Sequence, residues 1–245
     1  MAPLSQSATP VATPERASGW YRHDLVVLAT APLFLAVGRL ILVPFDDQEW
    51  DGVLTDMAAN HSRNAIGWAL TLIAAALLSA AGLALVRLLP HRSRLVLPAA
   101  IGVAFGWAGT AAIASGGLVM GDMADSPQRT AMVAVLTNFN EGNGNTIFFL
   151  VLAGVLGNIL LAIALARSAI VSKGTAVLLG LGAVVSLVGS PGPFKPIAVT
   201  GAVLLIGAHL LILRSLSSRN TVTSAGPGAR SVAESSPRSP DRTAS

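Results

Sequence analysis

Cysteine is absent from this chain, and charge is scarce: only 11% of its 245 residues are Asp, Glu, Lys or Arg. The first absence excludes disulfides, thiolate metal sites, cysteine nucleophiles and thiol redox switching. The second excludes a water-soluble globule, because soluble domains carry about a quarter charged residues and use them to cover their surface. What fills the chain instead is apolar: 53% of residues are hydrophobic, 24 others are glycine, and mean hydropathy is +0.66. Such a chain is an integral membrane protein whose first partner is the lipid bilayer. Also missing are the HExxH, P-loop and dinucleotide-binding signatures, so no catalytic residue, metal or cofactor is assigned. The 14 arginines stand against two lysines, which with abundant Ala and Gly points to a GC-rich bacterial genome. They sit at span ends and in a tail rather than among aromatics, so no nucleic-acid partner is expected.

Residues 1–22 are polar and rich in Ser, Pro and Ala, without the apolar stretch of a cleavable signal peptide. A disordered N-terminus is expected there, with the first apolar run acting as its own insertion signal. Apolar runs follow at 25–45, 65–88, 95–120, 146–166, 174–189 and 195–213. About 20 residues cross a hydrocarbon core of roughly 30 Å at 1.5 Å per residue. The fifth run is short, Gly-rich and followed by Ser190-Pro191-Gly192-Pro193, so a five-span or re-entrant arrangement is the alternative. The expected fold class is all-α, a polytopic membrane protein: a six-transmembrane-helix bundle over 23–214, built as three outward-opening hairpins. Beyond it, 215–245 reads as a disordered tail of Ser, Pro and Arg.

Cytoplasmic flanks are enriched in Arg and Lys. Arg16, Arg22, Arg87, Arg92, Arg94, Arg167, Lys173, Arg214 and Arg219 fall on one side, against Arg63, Arg129 and Lys195 on the other. Both termini are therefore expected in the cytoplasm and the protein in the cell membrane. Eight of the twelve acidic residues (Asp46, Asp47, Glu49, Asp51, Asp56, Asp122, Asp125 and Glu141) then lie on the outer side. Within the outer loops, Trp50, Val53, Leu54 and Met57 recur at helical spacing behind Asp46 and Asp47, which can cap a helix. Ser126-Pro127 starts a second such helix with a stripe of Met132, Val135, Leu136 and Phe139. Two short interfacial helices follow from these patterns.

Few polar groups enter the spans, and counting from the charged span ends sorts them into two layers. Arg39 lies roughly 10 Å below the outer boundary, with Thr71, Thr110 and Ser115 at similar height and Asp122 above them. Asn158, His209 and Ser79 lie roughly 8 to 14 Å from the inner boundary, where they could share a hydrogen-bond network. An intramembrane Arg is costly and asks for a partner or a purpose. Arg39 is expected to reach outward to Asp46, Asp47 or Asp122; its alternative role is an anion or carboxylate contact. Arg39, Asp122, Asn158 and His209 are thus the candidate polar sites. Ser115-Gly116 and His209 superficially resemble the pairing of rhomboid intramembrane proteases. The GxSG motif of that family lacks its first glycine here, at Ile113, and the two layers are some 20 Å apart, so that enzyme is rejected.

Gly102 and Gly106 form a GxxxG continued by Gly109, and Gly154, Gly157, Gly182 and Gly189 mark further small-residue faces for close helix packing. The glycine face of the third span is also a candidate for homo-oligomers. The segment 39–68 (RLILVPFDDQEWDGVLTDMAANHSRNAIGW), with six apolar runs and a Ser/Arg tail, resembles in layout small multi-pass membrane proteins of actinobacteria. That resemblance implies membrane location and carries no activity. The expected role is a non-enzymatic scaffold, sensor or accessory subunit; transport of a small solute at a site near Arg39 is the alternative.

Overall fold

The computed structural model describes residues 21–43, 49–89, 93–142, 144–188 and 195–224. Among these every regular element is an α-helix: α1 (Tyr21–Ile41), α2 (Trp50–Ala59), α3 (His61–Arg87), α4 (Val96–Ala124), α5 (Arg129–Gly142), α6 (Gly144–Arg167), α7 (Lys173–Val188) and α8 (Lys195–Ser224). Five of them, α1, α3, α4, α6 and α8, contain stretches long and apolar enough to cross a membrane. A multi-pass membrane bundle is the architecture these helices support. α7, with 16 residues, is about 24 Å long, short of a hydrocarbon core of roughly 30 Å.

The bundle is a ring in chain order. α1 packs on α3, α3 on α4, α4 on α6, α6 on α7, α7 on α8, and α8 returns to α1. All six contribute to one apolar core, represented by Leu28 and Leu35 (α1), Leu78 and Leu85 (α3), Val103 (α4), Leu161 and Leu165 (α6), Leu179 (α7), and Leu205 and Ile212 (α8). Large apolar residues also cover the outside, Leu40, Ile73, Phe105, Leu156 and Leu210 among them, as a chain solvated by lipid tails requires.

The tightest seam joins α4 and α6. A Cβ on Gly106 would lie 2.0 Å from Gly154 Cα, and one on Gly102 would lie 2.5 Å from Gly157 Cα. Gly109 continues the seam against Leu150 and Val151. Two glycine rows therefore interlock, because absent side chains let the backbones touch where apolar side chains gain little over lipid. This consumes within one chain the face that the sequence offers to an oligomer. Gly182 lies against α8 in the same manner, while Gly189 falls outside the described residues.

The short helices close one end of the ring. α2 buries Val53, Leu54 and Met57 against Leu42, Trp68, Ala114 and Ala124, as its helical spacing implies. α5 departs from expectation: Leu136 and the unanticipated Val133 pack inward, but Val135 and Phe139 are exposed. A polar tie supplements this packing. Arg129 Nε donates to Asp51 Oδ1 (2.9 Å), and its Nη2 reaches Asp51 O and Thr55 Oγ1 on α2. At the other end, α8 runs on to Ser224, ten residues past Arg214 and into the region expected to be tail. The remaining tail, 225–245, and the N-terminal 1–20 lie outside the described residues.

Candidate functional site

The last four carbonyls of an α-helix have no partner within it, and cations satisfy them well. α1 ends at the α2-capped end of the ring, and side chains from two neighbours complete it. Lys195 Nζ, at the start of α8, donates to Leu40 O (2.9 Å) and to Leu42 O. Arg63 Nε, in the first turn of α3, donates to Ile41 O (2.8 Å), and Asn64 Oδ1 accepts from Val43 N (3.0 Å). Counting flank charges does not foretell these caps. The signal available was that Arg63 and Lys195 are basic residues on an otherwise acidic side.

One turn inside that cap, Arg39 shares the buried stripe of α1 with Leu35 and Leu28, four and eleven residues back along the helix. Only 6% of the residue is exposed, and its Nε is buried without a hydrogen-bond partner. The indole Nε1 of Trp68 is buried and unpartnered as well. Gly38 faces Thr71, and Leu42 faces Gly67. That register puts Arg39 and Trp68 about 3 Å apart in height at 1.5 Å per residue. A buried donor left unsatisfied costs about 1–3 kcal/mol, more when it is charged. Two donors with no acceptor at one end of the bundle are thus the main polar defect of the described core.

The carboxylates expected to answer Arg39 do not all lie near it. Asp122 has a side chain 86% exposed and stands 4.0 Å from His61 Nε2, while Asp125 approaches His61 Nδ1 at 3.2 Å. The reason is register. Trp68 packs on Gly117, so Asp122, five residues further along α4, projects beyond the end of the bundle, and α3 stands between α4 and α1. Asp46 and Asp47 lie outside the described residues.

Thr71, Thr110, Asn158 and His209, also buried, turn back on their own helices. Thr71 Oγ1 donates to Gly67 O (2.8 Å), Thr110 Oγ1 to Gly106 O (3.1 Å) and Asn158 Nδ2 to Gly154 O (2.8 Å). His209 Nδ1–H donates to Leu205 O (2.8 Å). Among the described residues no hydrogen bond links these groups across helices, so the inner layer is not a network. Ser115 is exposed on the outer surface of α4 and takes no part in a buried layer. Nor does any group of three or more His, Asp and Glu among the described residues stand ready to hold a metal. Set beside protein families, curated proteins and solved structures, this chain has no match among them.

Proposed function

We propose that this chain is a six-span protein of the cell membrane, with both termini in the cytoplasm, acting as a non-enzymatic scaffold, sensor or accessory subunit. The observation that carries this reading is the apolar fill between its polar ends: Leu35, Leu78, Val103, Leu161 and Leu205 are each at most 2% exposed. A solute path needs convergent polar groups across the midplane, whereas here Thr71, Asn158 and His209 bond to the backbones of their own helices.

Six crossings are supported by the place of α7 in the ring, between α6 and α8, despite its length. The proposed orientation rests on nine basic residues against three, and each of the three exceptions is used locally, Arg63 and Lys195 to cap α1 and Arg129 to tie α5 to α2. Reporter fusions after Arg92, Arg167 and Arg219 should therefore read cytoplasmic, and fusions near Gly52, Glu141 and Gly192 external. An external reading at Arg167 or a cytoplasmic one at Glu141 overturns the topology. Because the seam of α4 is filled by α6, a membrane partner or second copy would use another face.

The unpartnered Nε of Arg39 favours one second reading, a site for a small anionic solute on a transport path. The lack of native cysteine makes the two separable. In membranes, Leu78→Cys and Leu205→Cys should resist a membrane-impermeant thiol reagent if the interior is dry. Labelling of both, together with solute flux in reconstituted vesicles, would replace the scaffold reading with transport.

A further inference from the structure

The face of α6 turned away from the glycine seam meets α7 less closely and leaves a groove of about 450 Å³. Its floor is made of small residues, Ala162, Ala166, Ala176 and Gly180, and its rims are Ile163, Val177 and Leu181, all well exposed. Every lining residue but one is apolar, and the exception is Lys173 at one end. From Lys173 to Val184 the groove runs eleven residues of α7, about 16 Å, close to half of a hydrocarbon core of roughly 30 Å. It is therefore one leaflet long, charged at the headgroup end and apolar for the remainder.

The charge at that end has no protein counterion in view. Arg167 ends α6 and Lys173 begins α7, at the same end of this helix pair; both side chains are exposed, and neither makes an ion pair among the described residues. From residue 142 to residue 233 the sequence contains no Asp or Glu at all. An anion supplied from outside this half of the chain is what the pair can take. Long apolar tail and anionic head in one molecule define a single class of occupant.

We propose that the groove between α6 and α7 seats an acyl chain of an anionic glycerophospholipid, whose phosphate is held by Lys173 with Arg167 at the same end. The lipid belongs to the cytoplasmic leaflet if the orientation proposed above holds, but the seat itself does not depend on that orientation. A juxtamembrane cation attracts an anionic headgroup, and close contact of the chain with the groove walls adds dispersion attraction to it.

Native mass spectrometry of the full chain in mild detergent tests this with phosphatidylglycerol and phosphatidylcholine of identical chains. The wild type should retain phosphatidylglycerol at least severalfold more than phosphatidylcholine. Lys173→Gln should abolish most of that preference, with Arg167→Gln reducing it further. A Cβ on Gly180 would meet only Ala162 Cβ, at an ordinary 3.5 Å, so Gly180→Leu is the substitution chosen to fill the groove. It should lower retention of both lipids while leaving the melting temperature unchanged; Ala166→Leu serves the same purpose should Gly180→Leu fail to fold. Equal retention of both lipids by the wild type would overturn the proposal. So would filled-groove variants that bind as wild type, or a delipidated dimer abolished by Gly180→Leu, which would make the occupant a second copy of this chain.

Discussion

α6 presents two faces of nearly the same composition to its two neighbours, with opposite results. Toward α4 it offers Gly154 and Gly157, which meet Gly106 and Gly102 so closely that backbone touches backbone. Toward α7 it offers Ala162 and Ala166, and there small residues leave a groove instead of a seam. The difference lies in pairing. In the seam each gap on one helix receives an atom of the other, whereas in the groove Gly180 has only Ala162 within reach of an added Cβ, at 3.5 Å. Small residues thus permit close approach but do not compel it.

The largest effect is expected in the seam. At Gly106, even a methyl group would overlap the backbone of α6, which cannot move aside as a flexible side chain could. Gly106→Ala and Gly154→Val should lower stability in detergent by about 3 kcal/mol or more, at or beyond the upper end of overpacking costs. Thermal unfolding or the yield of monodisperse protein reads this. A seam that tolerates both substitutions would erase the contrast between the two faces.

Arg39 comes next, as a site where packing is close and polar pairing is not. Arg39→Leu removes a buried charge and an unsatisfied donor, so the folded state should be as stable as wild type or more so, by up to about 2 kcal/mol. Arg39→Glu replaces it with a buried carboxylate and should melt lower. Because Asp122 lies with His61 beyond the bundle end, adding Asp122→Arg should not restore what Arg39→Glu loses. If Arg39→Leu is well folded yet loses a solute flux, the transport reading takes over.

Asn158, one residue past Gly157, offers a smaller test of the seam. Its amide bonds to Gly154 O in its own helix, and even hydrogen bonds between membrane helices average only about 0.6 kcal/mol. Asn158→Leu should therefore shift the melting temperature only slightly. A loss as large as that of Gly106→Ala would mean that Asn158 bridges helices.

The parts of this fold legible in the sequence are those set by local patterns. The apolar runs locate the long helices to within a few residues except at the end of α8, which runs eleven residues past 213; the spacing of Val53, Leu54 and Met57 foretells the buried face of α2, and Gly102, Gly106, Gly154 and Gly157 announce close packing. What local pattern could not supply is pairing between distant segments. Depth along the membrane normal put Arg39 and Asp122 in one neighbourhood, but depth says nothing of angular position around the ring, and α3 separates their helices. The same blindness hid Lys195 and Arg63 as caps of α1, contacts that span 153 and 22 residues. It also hid the groove, since Ala and Gly at helical spacing read alike whether a partner fills the gap or leaves it open.

The smallest expected effect sharpens the comparison most. Gly180→Ala is chemically the same change as Gly106→Ala, made on the helix that faces the other side of α6. At Gly180 the added methyl meets Ala162 Cβ at 3.5 Å, an ordinary contact, and clashes with no backbone. The helix gains, because Gly restrained in a helix interior is unfavourable to Ala by roughly 0.5–1 kcal/mol. The contact adds little beyond that, so Gly180→Ala should be neutral or raise stability by less than about 1 kcal/mol, opposite in sign to the seam substitution. Combining Gly180→Ala with Gly106→Ala separates the causes further: the two sites lie on opposite sides of α6 and share no neighbour among the atoms an added methyl would meet, so their effects should add to within about 0.5 kcal/mol. A destabilising Gly180→Ala would mean that α6 and α7 close on each other as tightly as α6 and α4, and the groove would cease to exist as a seat for lipid.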